Sequence, residues 1–287
     1  MTRDRLRHLG PPAEVGFRAV HGHARSMPVS LPAGQTLMEA VADVMDRAGC
    51  DSAALTVDGM AMGPFAYVMP DTCDDGVHAA WYSETREGSQ ARIRFGTAIV
   101  GRRDGAWWLH CHAVWEEAGA IFCGHLLPDR MIVVEDSTVM LHTFDGGRFE
   151  VALDEETRFP IFHPVGSGKG GQGNALLAKV NPHHDVHGAI TAMIEEAGFE
   201  NTRILGIGSL IGARFAEGGD MASPISEVLV LPGAHWNGRL HLPMHCVDPE
   251  GRQFDGVLQP GGGPVCVTFE LMIVEDHDPP NDSNAPR

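Results

Sequence analysis

Three histidines in this chain stand at spacings that suit a metal ion. His110 and His112 sit one residue apart in Leu109–His–Cys–His–Ala–Val114, and His125 follows thirteen residues later in Cys123–Gly–His–Leu126. Both segments are rich in strand formers, and the period of two along a strand turns His110 and His112 to one face and Cys111 to the other. Glu116–Glu–Ala–Gly119 reads as a turn, so the returning strand is expected to bring His125 beside the pair. Three imidazoles form a nitrogen set suited to Zn²⁺, Fe²⁺, Ni²⁺ or Mn²⁺. With one coordination position open, such an ion activates water or polarises a carbonyl or carboxylate oxygen. The same residues could instead line a cleft or an oligomer interface without metal.

Several other side chains are candidates to support that chemistry. Glu135 ends the apolar run Met131–Ile–Val–Val, ten residues past His125. It is expected to act as a general base, a ligand, or the acceptor for an imidazole N–H. Arg25 precedes the first helical segment and is a candidate partner for a substrate carboxylate, as are Tyr82 and Arg94. Cys123, on the face of His125, is a candidate fourth ligand. His21–Gly–His23 repeats the spacing of the pair with no third partner.

The elements that must position these residues follow a plan written twice. Gly34–Gly49 reads as an amphipathic helix with Leu37, Ala40, Val41, Val44, Met45 and Ala48 on its apolar face, a Thr36/Glu39 capping box and a glycine stop. Val186, Ala189, Ile190, Met193, Ile194 and Ala197 repeat that face at an offset of 149 residues (Leu37 to Val186). Ser52–Gly59 and Thr202–Gly208 then read as matching strands, and Met131–Glu135 is matched with Val265–Glu270. The expected class is α/β of the α+β kind: two tandem units, each a mixed, mainly antiparallel sheet packed with a helix. The units span 15–160 and 174–275, with a glycine-rich linker over 161–173 and a disordered tail over 276–287. In the second unit His245 matches His112, but Pro243 replaces His110 and Val257 stands near the place of His125. One divalent metal per chain is therefore expected. His235, His241 and Asp248 are candidates for a different site, while His183, His184 and His187 read as helix capping or solvated surface.

Composition narrows the partners. The 287 residues carry a formal charge of −17, which repels a polyphosphate backbone, and the only basic cluster is the short arm Arg3, Arg5, Arg7. Nucleic acid is not an expected partner. Six scattered cysteines form no CxxC pair, no apolar run is long enough for a membrane span, and the N-terminus lacks the apolar core of a signal peptide. A cytoplasmic location is expected.

His110–Cys–His112–Ala, Gly124–His125–Leu126 and the strand ending in Glu135 together resemble the PPC (plants and prokaryotes conserved, DUF296) domain family. The resemblance is specific over 25–140 and looser over 175–275. It implies compact domains of one helix against a sheet, zinc on the three histidines, and assembly as a homotrimer. Plant members carry AT-hooks, but the Arg–Gly–Arg–Pro core of such a hook does not occur here. The expected function is that of a metal-dependent enzyme acting on a small, anionic, carboxylate-bearing metabolite. A metabolite-binding or sensory module is the alternative reading, and a DNA-associated regulator the third.

Overall fold

The computed structural model describes residues 6–168, 171 and 173–276. The expected tail, apart from Asp276, lies outside the described residues, as do Arg3 and Arg5 of the basic arm.

The first half runs β1 (Phe17–Leu31), α1 (Leu37–Ala48), β2 (Ser52–Thr56), β3 (Ala61–Val68), β4 (Pro70–Asp71), β5 (Trp81–Tyr82), β6 (Arg86–Gly88), β7 (Ala91–Arg103), β8 (Ala106–Glu117), β9 (Ala120–Val133), β10 (Ser137–Asp145), β11 (Gly147–Leu153) and β12 (Pro160–Gly166). The second runs β13 (Ala175–Val180), α2 (Val186–Ala197), β14 (Thr202–Leu210), β15 (Glu227–Val230), β16 (His235–Trp236), β17 (Leu240–His241), β18 (Pro243–Val247), β19 (Gln253–Val257) and β20 (Val265–Glu275). Both helices begin and end as their sequences direct. Thr36 and Glu39 form the capping box of α1, Asp185 caps α2, and Gly49 and Gly198 close them in the left-handed conformation.

Strand pairing repeats. The ladder β1–β10–β2–β7–β8–β9 recurs as β13–β20–β14–β15–β18–β19. The two ladders join because β1 is long enough to serve both: Phe17–Gly22 pairs with β13, and His23–Leu31 pairs with β10. This order corrects one sequence match. β20 lies between β13 and β14 as β10 lies between β1 and β2, so the counterpart of Val265–Glu270 is in β10, not in Met131–Glu135.

The expected α/β class is overturned. Among the described residues twenty strands carry the fold, and the two helices have twelve residues each. The reason lies in the connections. Each helix links one pair of strands, whereas hairpins, such as the Asp104–Gly105 turn between β7 and β8, and other loops make the rest. The sheet is accordingly antiparallel, apart from a single parallel pairing of β11 with β7. The expected linker also begins as structure, since Pro160–Gly166 pairs along the whole of β11.

Alternation along the strands builds two cores. Ile204, Leu271 and Ile273 pack with Val186, Ile190 and Ile194 of α2. Their alternates Leu205, Ile207, Met272 and Val274 join the cluster that holds Leu37 and Val41 of α1 and Leu141 of β10. The second sheet therefore has its own helix on one face and the first half of the chain on the other, an apolar contact between sheets. The histidines lie at that contact.

Candidate metal centre

The β8–β9 register places His112 directly opposite His125, with His110 one pleat away on the same face. Gly124 lets β9 lie close: a Cβ there would stand 3.1 Å from the Val68 carbonyl and 3.2 Å from the Met69 sulfur. The three rings gather with centroids 4.6, 4.8 and 5.2 Å apart. One ligand nitrogen from each lies within 4.8 Å of those from the other two. His112 is fully buried, and His110 and His125 are partly buried.

Two carboxylates from the second half of the chain complete the cluster. Glu270 Oε2 on β20 lies 2.7 Å from His110 Nδ1, and Glu227 Oε2 on β15 lies 2.9 Å from His112 Nε2. The carbonyl oxygen of Val228 lies 2.9 Å from His112 Nδ1. These contacts set the tautomers. A carboxylate and a carbonyl can only accept, so both Nδ1 atoms donate; in the neutral rings both Nε2 atoms then carry lone pairs facing inward, and His112 Nε2 donates to Glu227 only where that ring is protonated. Those two Nε2 atoms are 2.9 Å apart, with the Glu227 oxygen beside them. Converging acceptors repel unless a cation lies among them, as a proton or as a metal ion. Burial opposes charge on His110, but Glu270 and Glu227 outweigh it and raise its pKa. His125 goes the other way: burial, then the neighbouring His110 and His112, push its pKa well down. Its Nδ1 is buried without a hydrogen-bond partner. A proton on His110 satisfies the Nε2 pair but leaves His125 unsatisfied. One nitrogen from each of the three rings could hold a metal ion.

The cluster opens into a cavity of about 270 Å³ between the two halves, lined by Trp81, Tyr82, Trp108 and Phe159 and floored by His110, His125, Glu227 and Glu270. The ring of Tyr82 stands edge-on to His125 at 5.1 Å. Burial, reinforced by the charges of Glu227 and Glu270, pushes the Tyr82 hydroxyl far above its usual range, so it keeps its proton. Burial also pushes the thiols of Cys111 and Cys266 up to about 12, which removes them as thiolate nucleophiles.

The other sequence candidates lie elsewhere. Glu135 follows the end of β9, is 55% exposed and pairs with Arg92 at 2.9 Å. Arg25 is 68% exposed and faces Asp145 at 3.6 Å. Arg94 pairs with Glu116 on the surface. Cys123 shares the face of His125 but is not among the residues whose ligand atoms gather there. Its neighbours are the core cluster and Cys246. His235 and His241 touch, whereas Asp248 is buried against Arg252. A second group, Cys73, Asp75 and His78, has metal-ligand atoms within 4.8 Å. There the Asp75 carboxylate already accepts from the amides of Val77 and His78 and from the His78 ring.

Sequence reasoning missed Glu227 and Glu270. A signal was present, because each is a carboxylate inside an otherwise apolar strand, Glu–Val–Leu–Val and Val–Cys–Val–Thr–Phe–Glu–Leu–Met–Ile–Val–Glu. Such a group is costly to bury without a partner, so its position itself points to one.

No family model and no curated protein matches the chain. Among solved structures it is similar to a metal-containing protein from Archaeoglobus fulgidus, at 19% identity over 51% of this chain and 97% of that one, with a TM-score of 0.40. A plant- and prokaryote-conserved (PPC) protein from Pyrococcus horikoshii shares 16% identity over 52% of this chain and 95% of its own, also with a TM-score of 0.40. A Ralstonia eutropha protein named as a candidate DNA-binding protein shares 16% over 47% and 89%, with a TM-score of 0.36. Each corresponds to about half of this chain, and likeness at this level carries no inference about function.

Proposed function

We propose that the chain binds one divalent metal ion, zinc first, on His110, His112 and His125, and that this centre acts on a small carboxylate-bearing metabolite in the adjoining cavity. The observation that supports the reading is the inward convergence of the His110 and His112 Nε2 atoms, with both Nδ1 atoms held from behind by Glu270 and the Val228 carbonyl. When bound, such an ion supplies Lewis acidity toward a carbonyl or carboxylate oxygen. The protein's own groups divide the remaining work. Glu227 is placed to accept a proton or to join the ligand set, and Tyr82 retains a hydroxyl proton to donate toward a bound oxygen. The apolar walls exclude water. The repeated strand order supports a duplicated ancestry in which the second half contributes two carboxylates, from β15 and β20, rather than a second set of imidazoles.

The test is metal analysis of untagged protein. One equivalent of zinc per chain is expected for the wild type, with loss in His110→Ala and in His125→Ala. Unchanged metal content in both variants overturns the ligand set. Turnover of a carboxylate panel by the zinc-loaded protein separates an enzyme from a binding module, which would show a melting shift without product.

A further inference from the structure

Resting on that reading but reaching beyond the metal, the geometry points to an aromatic carboxylate as the ligand of the cavity, with Arg103 as the residue that grips its acid group. Three observations carry this.

The first is charge. The charged side chains lining the cavity are Glu227, Glu270, Asp129 and Arg103. The two glutamates are engaged by His112 and His110. Asp129 is exposed. Arg103 is the single cation among them and forms no ion pair with any described residue; its guanidinium lies over the Trp108 ring at 4.7 Å. In a chain of net charge −17, a guanidinium left without a carboxylate beside a cavity is an available anion site.

The second is shape. Trp81, Tyr82 and Phe159 form one wall, with Trp81 and Phe159 4.6 Å apart, and Trp108 stands on β8 with the histidines. The volume of about 270 Å³ exceeds the roughly 150 Å³ that accommodates benzene in an engineered apolar cavity. It leaves room for one ring bearing short polar groups at both ends.

The third is length. Trp108, His110 and His112 share one face of β8, so Trp108 lies one pleat, roughly 7 Å, from His110. The Asp104–Gly105 turn then folds Arg103 back over Trp108. A ligand reaching from the histidines to Arg103 must therefore lie along Trp108, and a benzene ring with an oxygen at one end and a carboxylate at the other has that span. Thr268, which is 95% buried, also lines the cavity.

The experiment titrates zinc-loaded and zinc-free protein with 4-hydroxybenzoate, following tryptophan fluorescence and heat of binding, with 4-hydroxybenzamide and acetate as comparison probes. Binding of 4-hydroxybenzoate at least tenfold tighter than either comparison probe is expected. Arg103→Gln should lose tenfold or more, Arg103→Lys should recover part of it, and Arg102→Gln should match the wild type, because Arg102 stacks on Trp107 instead. Equal binding of benzamide and benzoate, wild-type affinity in Arg103→Gln, or no binding at all to protein that holds its zinc overturns this inference and leaves the metal centre standing. Loss of zinc binding is read separately and bears on the metal reading alone.

Discussion

Glu270 and His110 are 160 residues apart in the chain and 2.7 Å apart in space, carboxylate against imidazole Nδ1, with the carboxylate only 1% exposed. The contact joins β20 to β8 across the interface between the sheets. It makes the second half of the chain a functional part of a cluster whose imidazoles all come from the first. Directly across from Glu270 on β13 is Lys179, itself buried against Asp154 at 2.6 Å. The charge behind the histidines is thus embedded in a polar array rather than isolated in the core.

Glu270→Gln should weaken zinc binding by about 10- to 100-fold while the chain still folds, because the amide cannot hold the His110 Nδ1–H as a carboxylate does. Competition with a chromophoric chelator reads this directly. Affinity equal to wild type would show that the orientation of His110 is set elsewhere.

Glu135→Ala and Arg25→Ala should leave zinc affinity and turnover unchanged and shift stability by no more than about 0.5 kcal/mol. Both side chains are more than half exposed and paired with surface partners. Loss of metal in either variant would restore its sequence-based role.

Stability should fall in mild acid through His142. Its ring is buried and bonded to the Ser26 hydroxyl, and burial together with nearby Arg203 lowers its pKa from 6.5 to about 4. The unfolded chain therefore binds the proton more readily between those values. The contribution of the neutral ring is complete above pH 6.5 and is lost as pH falls toward 4, amounting to about 2 kcal/mol at pH 5. Urea midpoints at pH 7 and pH 5 should differ less in His142→Gln than in the wild type.

Asp154→Asn should cost about 3–5 kcal/mol, since it leaves the Lys179 ammonium, 1% exposed, without its counter-charge. Adding Lys179→Met should recover much of the loss by removing the stranded charge. Denaturant unfolding of the single and double variants measures both effects, and a double variant less stable than the single one would contradict this account.

Much of the local structure was legible in the sequence. Period-two alternation alone puts His110 and His112 on one face, and the turn at Glu116–Gly119 returns His125 to them, because a hairpin encodes its register within a short stretch. Thr36, Glu39, Gly49 and Gly198 mark helix ends by backbone chemistry that needs no distant partner. The overall class was harder to read: two well-marked helical faces drew the balance toward α/β, while the antiparallel pairing that carries the fold emerges only when every strand's partner is seen.

The completion of the site belonged to the tertiary structure. Glu135 stood near the histidines in sequence but follows the end of β9 into solvent, where Arg92 meets it. Glu227 and Glu270 stood in the other half, and only the stacking of one sheet on the other carries them to the imidazoles. Sequence periodicity determines which face of a strand a side chain occupies. Which other face it meets depends on how apolar surfaces such as Leu205, Met272 and Leu141 pack, and that packing is nonlocal and non-directional.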